Sequence, residues 1–126
     1  MTTSNFAKSS RDPNAVAISR GVPRWFKGKR YMPLAPSREL LDANDPKRFD
    51  REYTKQLKAL DPREVYADLG PDAVLLCWEK FNVRCHRRQV AEWLEAALGI
   101  EIPEVGHDRR ESIPFKEQPP KDKGRP

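Results

Sequence analysis

Ala73-Val-Leu-Leu-Cys-Trp78 is an unbroken apolar run that begins just after the breaker pair Gly70-Pro71. A strand with one wet face would alternate apolar with polar residues. Continuous apolarity means that both faces are covered, as in a parallel sheet held between helices. Working outward, Ala15-Val-Ala-Ile18 is a second run of the same kind, bounded by Pro13-Asn14 and by Arg20-Gly21. It too reads as a buried strand. Asn5 to Ala7 and Ile100 to Ile102 are weaker strand candidates, expected at the sheet edges.

Between the two strong strands the signals for helix starts repeat. Ser37 can cap Arg38 to Asp42, and Asp45-Pro46 opens a segment that places Phe49, Tyr53, Leu57 and Leu60 on one face. Asp61-Pro62-Arg63-Glu64 repeats the start, with Glu64 placed to complete a capping box and Gly70 to supply the stop. After the second strand, Val90, Trp93, Leu94, Ala97 and Leu98 form an apolar stripe at helical spacing, ended by Gly99. Crossovers long enough to carry helices imply parallel pairing. The sequence therefore predicts an α/β fold, a small three-layer sandwich with a short, mostly parallel sheet and flanking helices.

With 126 residues of which 37% are hydrophobic, the chain can fill one modest core. Residues 1–105 are expected to form a single domain. Residues 106–126 are charged and carry Pro114, Pro119, Pro120 and Pro126. They are expected to be a flexible tail, too polar to offset the entropy of ordering, and a place for a protein partner. No run approaches the roughly 18 to 20 apolar residues of a membrane span, and Met1-Thr-Thr-Ser-Asn5 lacks a charged flank before an apolar stretch. The expectation is a cytoplasmic protein without membrane attachment. Two cysteines, Cys77 and Cys85, are too few for a stapled secreted scaffold, so free thiols in a reducing compartment are expected.

The net charge of +5 is uneven. Residues 1–36 hold seven Lys or Arg against one Asp, whereas residues 37–126 hold seventeen against eighteen acids. A basic front implies attraction for phosphate, nucleotide or nucleic acid, although a merely solvated segment would have the same composition.

Ligands of open α/β sheets bind beyond the carboxyl ends of the strands. Two segments meet that description. Ser19-Arg-Gly-Val-Pro-Arg-Trp-Phe-Lys-Gly-Lys-Arg-Tyr31 leaves the first strand and interleaves five basic residues with three aromatics. Arg20, Lys27 and Arg30 are its candidates for phosphate contacts and Trp25 for base stacking. The competing reading has the aromatics packing under the sheet while the charges stay in water. Cys77-Trp-Glu-Lys-Phe-Asn-Val-Arg-Cys-His-Arg-Arg88 runs from the second strand end into the last helix. Projecting that helix backward turns His86 and Arg87 inward and Arg88 away. Helix-start amides with His86 and Arg87 would favour an anion, and Glu79 would be the counter-charge. A structural histidine and a plain ion pair are the alternatives.

His86, Glu79 and Cys85 are thus the candidate catalytic residues, with Arg20, Trp25, Lys27, Arg30, Cys77 and Arg87 as candidate ligand contacts. Cys77 is by default a small core residue, while Cys85 at a helix start is better placed for a lowered thiol pKa. The Cys-x5-Arg loop of phosphatases and sulfurtransferases is not matched, because Arg84 lies one residue too far and the loop has no glycine. Cys77, Cys85 and His86 could supply three metal ligands, but Cys-x7-Cys-His matches no common zinc spacing and no fourth ligand is evident. Neither a metal nor a cofactor is expected.

Leu75-Leu-Cys-Trp-Glu-Lys80, Cys85-His-Arg-Arg88 and Val90-Ala-Glu-Trp-Leu94 resemble the signature of the domain of unknown function 488 family, found in bacteria and their phages. Ile18 to Tyr31, with Leu34-Ala-Pro36 after it, looks like the front motif of the compact branch of that family. The likeness runs from about Thr3 to Val105. It implies that Arg20, Pro23, Cys77, Glu79, Cys85, His86 and Arg87 are shared family positions. Many members have Asp-Val-Arg where this chain has Ile18-Ser19-Arg20, so a mechanism requiring a carboxylate there is not supported. Three functions follow as expectations: binding of a phosphate-bearing ligand, nucleotide or nucleic acid, at a basic pocket; an enzyme acting on a nucleotide, base or related small molecule with His86 as acid or base; and a phage accessory factor that meets a protein partner.

Overall fold

The computed structural model describes residues 1–119. Four strands, β1 (Thr2–Asn5), β2 (Ala15–Ala17), β3 (Lys29–Arg30) and β4 (Val74–Cys77), form one all-parallel sheet in the order β1-β4-β2-β3. The helices are α1 (Phe6–Ser9), α2 (Arg38–Asp42), α3 (Pro46–Lys58), α4 (Pro62–Leu69) and α5 (His86–Leu98). The chain has the α/β architecture expected, with the two apolar runs as adjacent central strands. Residues Phe6 and Ala7 belong to α1 rather than to a strand, and residues 100–102 form no strand, the chain pairing with β1 just beyond them through a single bridge between Thr3 and Glu104.

Side chains of successive strand residues point to opposite faces, which sorts the core into two parts. Val16, Ile18 and Leu75 meet Leu40, Tyr53, Leu57, Val65, Val90 and Leu94 from α2 to α5. Ala15, Ala17, Val74 and Leu76 face the other way, onto Phe6 and Phe26. The layers are therefore unequal: one face carries four helices, the other only the single turn of α1 and the β2–β3 loop. Small Ala15 and Ala17 suit the thin side, because Phe26 reaches up against them.

The helix starts follow the capping chemistry read from the sequence. Side chains of Ser37, Asp45 and Asp61 accept hydrogen bonds from the backbone N–H groups of Leu40, Arg48 and Arg63, and Pro46 and Pro62 take the first turn. Gly99 ends α5 in the left-handed conformation at φ 67°.

Part of the expected tail is structured. Residues Arg109–Glu111 and Phe115–Glu117 form short 3-10 turns, and Phe115 and Gln118 are buried. Polar clamps do the holding. Asn82 accepts from the Ile113 N–H and donates to the Glu111 carbonyl, Arg84 N–H donates to the Pro119 carbonyl, and Arg109 forms a two-pronged bond with Glu95 at 2.7 and 2.9 Å. Residues 106–119 of the expected tail thus lie against the domain, and residues 120–126 lie outside the described residues. Among the described residues no helix is long and apolar enough to cross a membrane.

Candidate functional site

The carboxyl ends of β2 and β4 lie side by side, joined by the Ile18 N–H bond to the Leu76 carbonyl at 3.1 Å. Beyond them opens a cavity of about 370 Å³. Ser19, Arg20 and Gly21 enter it from β2, Cys77, Trp78 and Glu79 from β4, and Arg84, Cys85 and His86 from the approach to α5. Leu40 and Leu41 of α2, Phe49 and Asp50 of α3, and Phe115 of the C-terminal segment close the rest. This is the crevice position that an open parallel sheet offers to ligands, with the mainly apolar wall and few convergent polar groups of small-molecule sites.

Arg20 and His86, more than sixty residues apart in sequence, thus share one cavity. The Arg20 Nε donates to the Pro36 carbonyl at 3.1 Å, which ties the side chain to the rim. His86 is held from three sides. Its Nε2 lies 2.7 Å from the Ile18 carbonyl, Tyr53 meets its ring edge-on at 5.5 Å, and Phe49 lies beyond. A carbonyl only accepts, so Nε2 carries a proton. The other ring nitrogen, Nδ1, lies 4.0 Å from the Cys85 Sγ.

Cys77 ends β4 and Cys85 is the N-cap of α5. The structure joins their sulfurs as a disulfide, which corrects the expectation of two free thiols. The fold explains the contact: the strand end and the helix start are brought together by the turn between them, and the two Cα atoms are 7.0 Å apart.

Four of the expected ligand contacts are not in the cavity. Arg87 is fully buried behind its wall, with Nε and Nη2 on Glu104 at 3.0 and 2.7 Å, Nη1 on the Cys77 Sγ at 3.3 Å and Nη2 also on the Lys80 carbonyl. Its counter-charge is Glu104 rather than Glu79, because the chain after α5 returns along β1 and delivers Glu104 beside it. Trp25 and Lys27 are exposed on the β2–β3 loop and Arg30 on β3, and it is Phe26 that packs inward. Arg88 does not point away: it is 1% exposed, and its Nη1 donates to the Thr3 hydroxyl and the Ile102 carbonyl. The helix start is enclosed by the sheet on one side and by the returning segment on the other, so three successive residues are buried.

Electrostatically the cavity is mixed rather than basic. Arg20 and Arg84 are answered by Asp45, Asp50 and Glu79, with Arg84 and Asp50 paired to each other. Burial alone would raise the Glu104 carboxyl. The hydrogen bonds and charge of Arg87, the Thr3 hydroxyl and the charge of Arg88 more than offset this and hold it below its ordinary value. Sequence reasoning missed Glu104 and Phe115. Glu104 follows a weak strand signal, and Phe115 is a lone aromatic in a polar stretch.

No significant match is found among the curated proteins or the solved structures. Residues 24–94 match the family model described as Domain of unknown function DUF488. That span includes β4, the Cys77–Glu79 strand end and the Cys85–His86–Arg87 helix start, while Arg20 lies just before it. The chain belongs to the DUF488 family.

Proposed function

We propose that the chain is an enzyme that takes a small ring-bearing molecule of nucleoside or nucleotide kind into this cavity. One observation carries the reading: a cavity of about 370 Å³ at the ends of the central strands, with Arg20 on its rim and Cys77, Cys85 and His86 on its floor. Phe49, Trp78 and Phe115 offer aromatic surface to a planar ring. Arg20 would hold an anionic group such as phosphate. Glu79 and Asp45 suit a ligand that also carries N–H donors, which argues for a nucleobase-like ring over a simple polyanion. A buried, anchored imidazole beside two sulfurs is a reactive grouping rather than a passive lining.

Binding and turnover of a nucleoside and nucleotide panel test this. Arg20→Ala is expected to weaken phosphate-bearing ligands at least tenfold, and His86→Ala to abolish product formation. No saturable binding, or equal behaviour of Arg20→Ala and wild type, would overturn it.

A second reading rests on the exposed β2–β3 loop and β3, where Arg24, Trp25, Lys27, Lys29 and Arg30 all face solvent. Alternating guanidinium, ammonium and indole groups suit single-stranded nucleic acid. Quenching of Trp25 fluorescence by an oligonucleotide, weakening steeply with salt, is the expected signature.

A further inference from the structure

The Cys77 Sγ, the Cys85 Sγ and a ring nitrogen of His86 lie within 4.8 Å of one another. We propose that these three atoms, once the sulfur pair is reduced, bind a zinc-type divalent cation whose fourth position opens onto the cavity.

A disulfide has no need of an imidazole, yet one is fixed beside this pair. Its Nε2–H donates to the Ile18 carbonyl at 2.7 Å, and its Nδ1 lies 4.0 Å from the Cys85 Sγ. Donation of the far ring N–H to a backbone carbonyl is the usual support of a metal-binding histidine. Cys77 has a matching support, the Arg87 N–H at 3.3 Å, which favours a thiolate at that sulfur. Glu104 already neutralises Arg87, so two thiolates would balance the two positive charges of the cation.

The geometry is compatible. Two sulfurs on a tetrahedral zinc stand about 3.8 Å apart, given Zn–S bonds of about 2.3 Å. A Cα separation of 7.0 Å already lies at the outer edge of what disulfides span, and it accommodates the wider spacing. Three protein ligands with an open fourth position is the arrangement of a catalytic rather than a structural zinc. Sulfur and imidazole donors select zinc or cobalt over magnesium or calcium.

Loading needs a reductant. A phosphine cleaves the sulfur–sulfur bond with water, leaving as the phosphine oxide while both sulfurs take up protons; the cation then displaces the two thiol protons. The site does not depend on which molecule Arg20 holds, and its test uses no organic ligand.

The full chain, reduced with a phosphine under nitrogen, is titrated with Co²⁺ alone. The expected result is one equivalent bound, with a sulfur-to-cobalt charge-transfer band in the near ultraviolet and intense visible bands of a four-coordinate ion, all bleached by Zn²⁺. The charge-transfer band should vanish in a Cys77→Ser, Cys85→Ser double variant, and His86→Ala should bind at least tenfold more weakly. Absence of the bands in reduced wild type, or bands unchanged in the variants, overturns the proposal. Should the variants misfold, alkylation of the wild type decides: Zn²⁺ must slow modification of both cysteines, and an unchanged rate overturns the site.

Discussion

At the scale of single residues, the most constrained part of the molecule is the chain of polar groups behind the cavity. The Thr3 hydroxyl donates to the Glu104 Oε1 at 2.6 Å, Arg88 donates to that same hydroxyl at 2.8 Å, and Arg87 grips both carboxylate oxygens. Removing one partner of such a buried pair strands the other charge, at a cost of about 3 to 5 kcal/mol. Glu104→Gln is therefore expected to lower stability at pH 7 by about 3 kcal/mol. The Glu104 carboxyl is held below its ordinary value in the folded state. Its contribution is thus complete above about pH 4.3, the value of a free Glu side chain, and is lost as pH falls through the depressed value. The gap between wild type and Glu104→Gln should accordingly narrow as pH falls below the value of a free Glu side chain, read from urea midpoints at neutral and acid pH. His86 and Arg87 were legible as inward-facing from helix periodicity alone. Arg88 was not, because backward projection knows the helix but not the segment that later wraps it. The Cys-x7-Cys-His spacing says little for a similar reason: spacing rules describe ligands within one loop, and here the three side chains come from a strand end and a helix start.

At the scale of elements, capping chemistry was the most readable layer. Ser37, Asp45 and Asp61 each bond the backbone as their residue types dictate, and the apolar stripe of α5 marks the face that meets the sheet. The two-residue β3 left no trace in the sequence, since Lys29 and Arg30 are both exposed and its pairing depends wholly on β2. The C-terminus of α5 carries its own test. Gly99 adopts φ 67°, and the space where a side-chain carbon would stand is open to 4 Å, so an added methyl group would meet backbone strain and no clash. Gly99→Ala is expected to cost about 1 kcal/mol, seen as a fall of several degrees in Tm with α5 and the cavity intact.

At the scale of the whole molecule, the C-terminal segment is part of the body. Phe115 is buried, lies 4.6 Å from the Arg84 guanidinium and forms one wall of the cavity. Ending the chain at Gly106 should expose that wall, lower Tm and weaken any ligand held in the cavity; unchanged melting would mean the segment is an ornament. The parallel sheet was legible because unbroken apolar runs have only one stable setting. The packing of residues 106–119 was not, since it depends on polar clamps between distant residues, Asn82 on the backbone of Glu111 and Ile113 and Arg109 on Glu95, which leave no periodic pattern.

The placement of β3 has a consequence for how the protein lives among copies of itself. This outer strand offers unpaired amides and carbonyls to any passing chain, but it is two residues long and both are cationic. A second molecule approaching in register would bring like charges together, and the run is too short to compensate with ladder bonds. Lys29 and Arg30 thus make this sheet margin a poor template for edge-to-edge pairing with another copy.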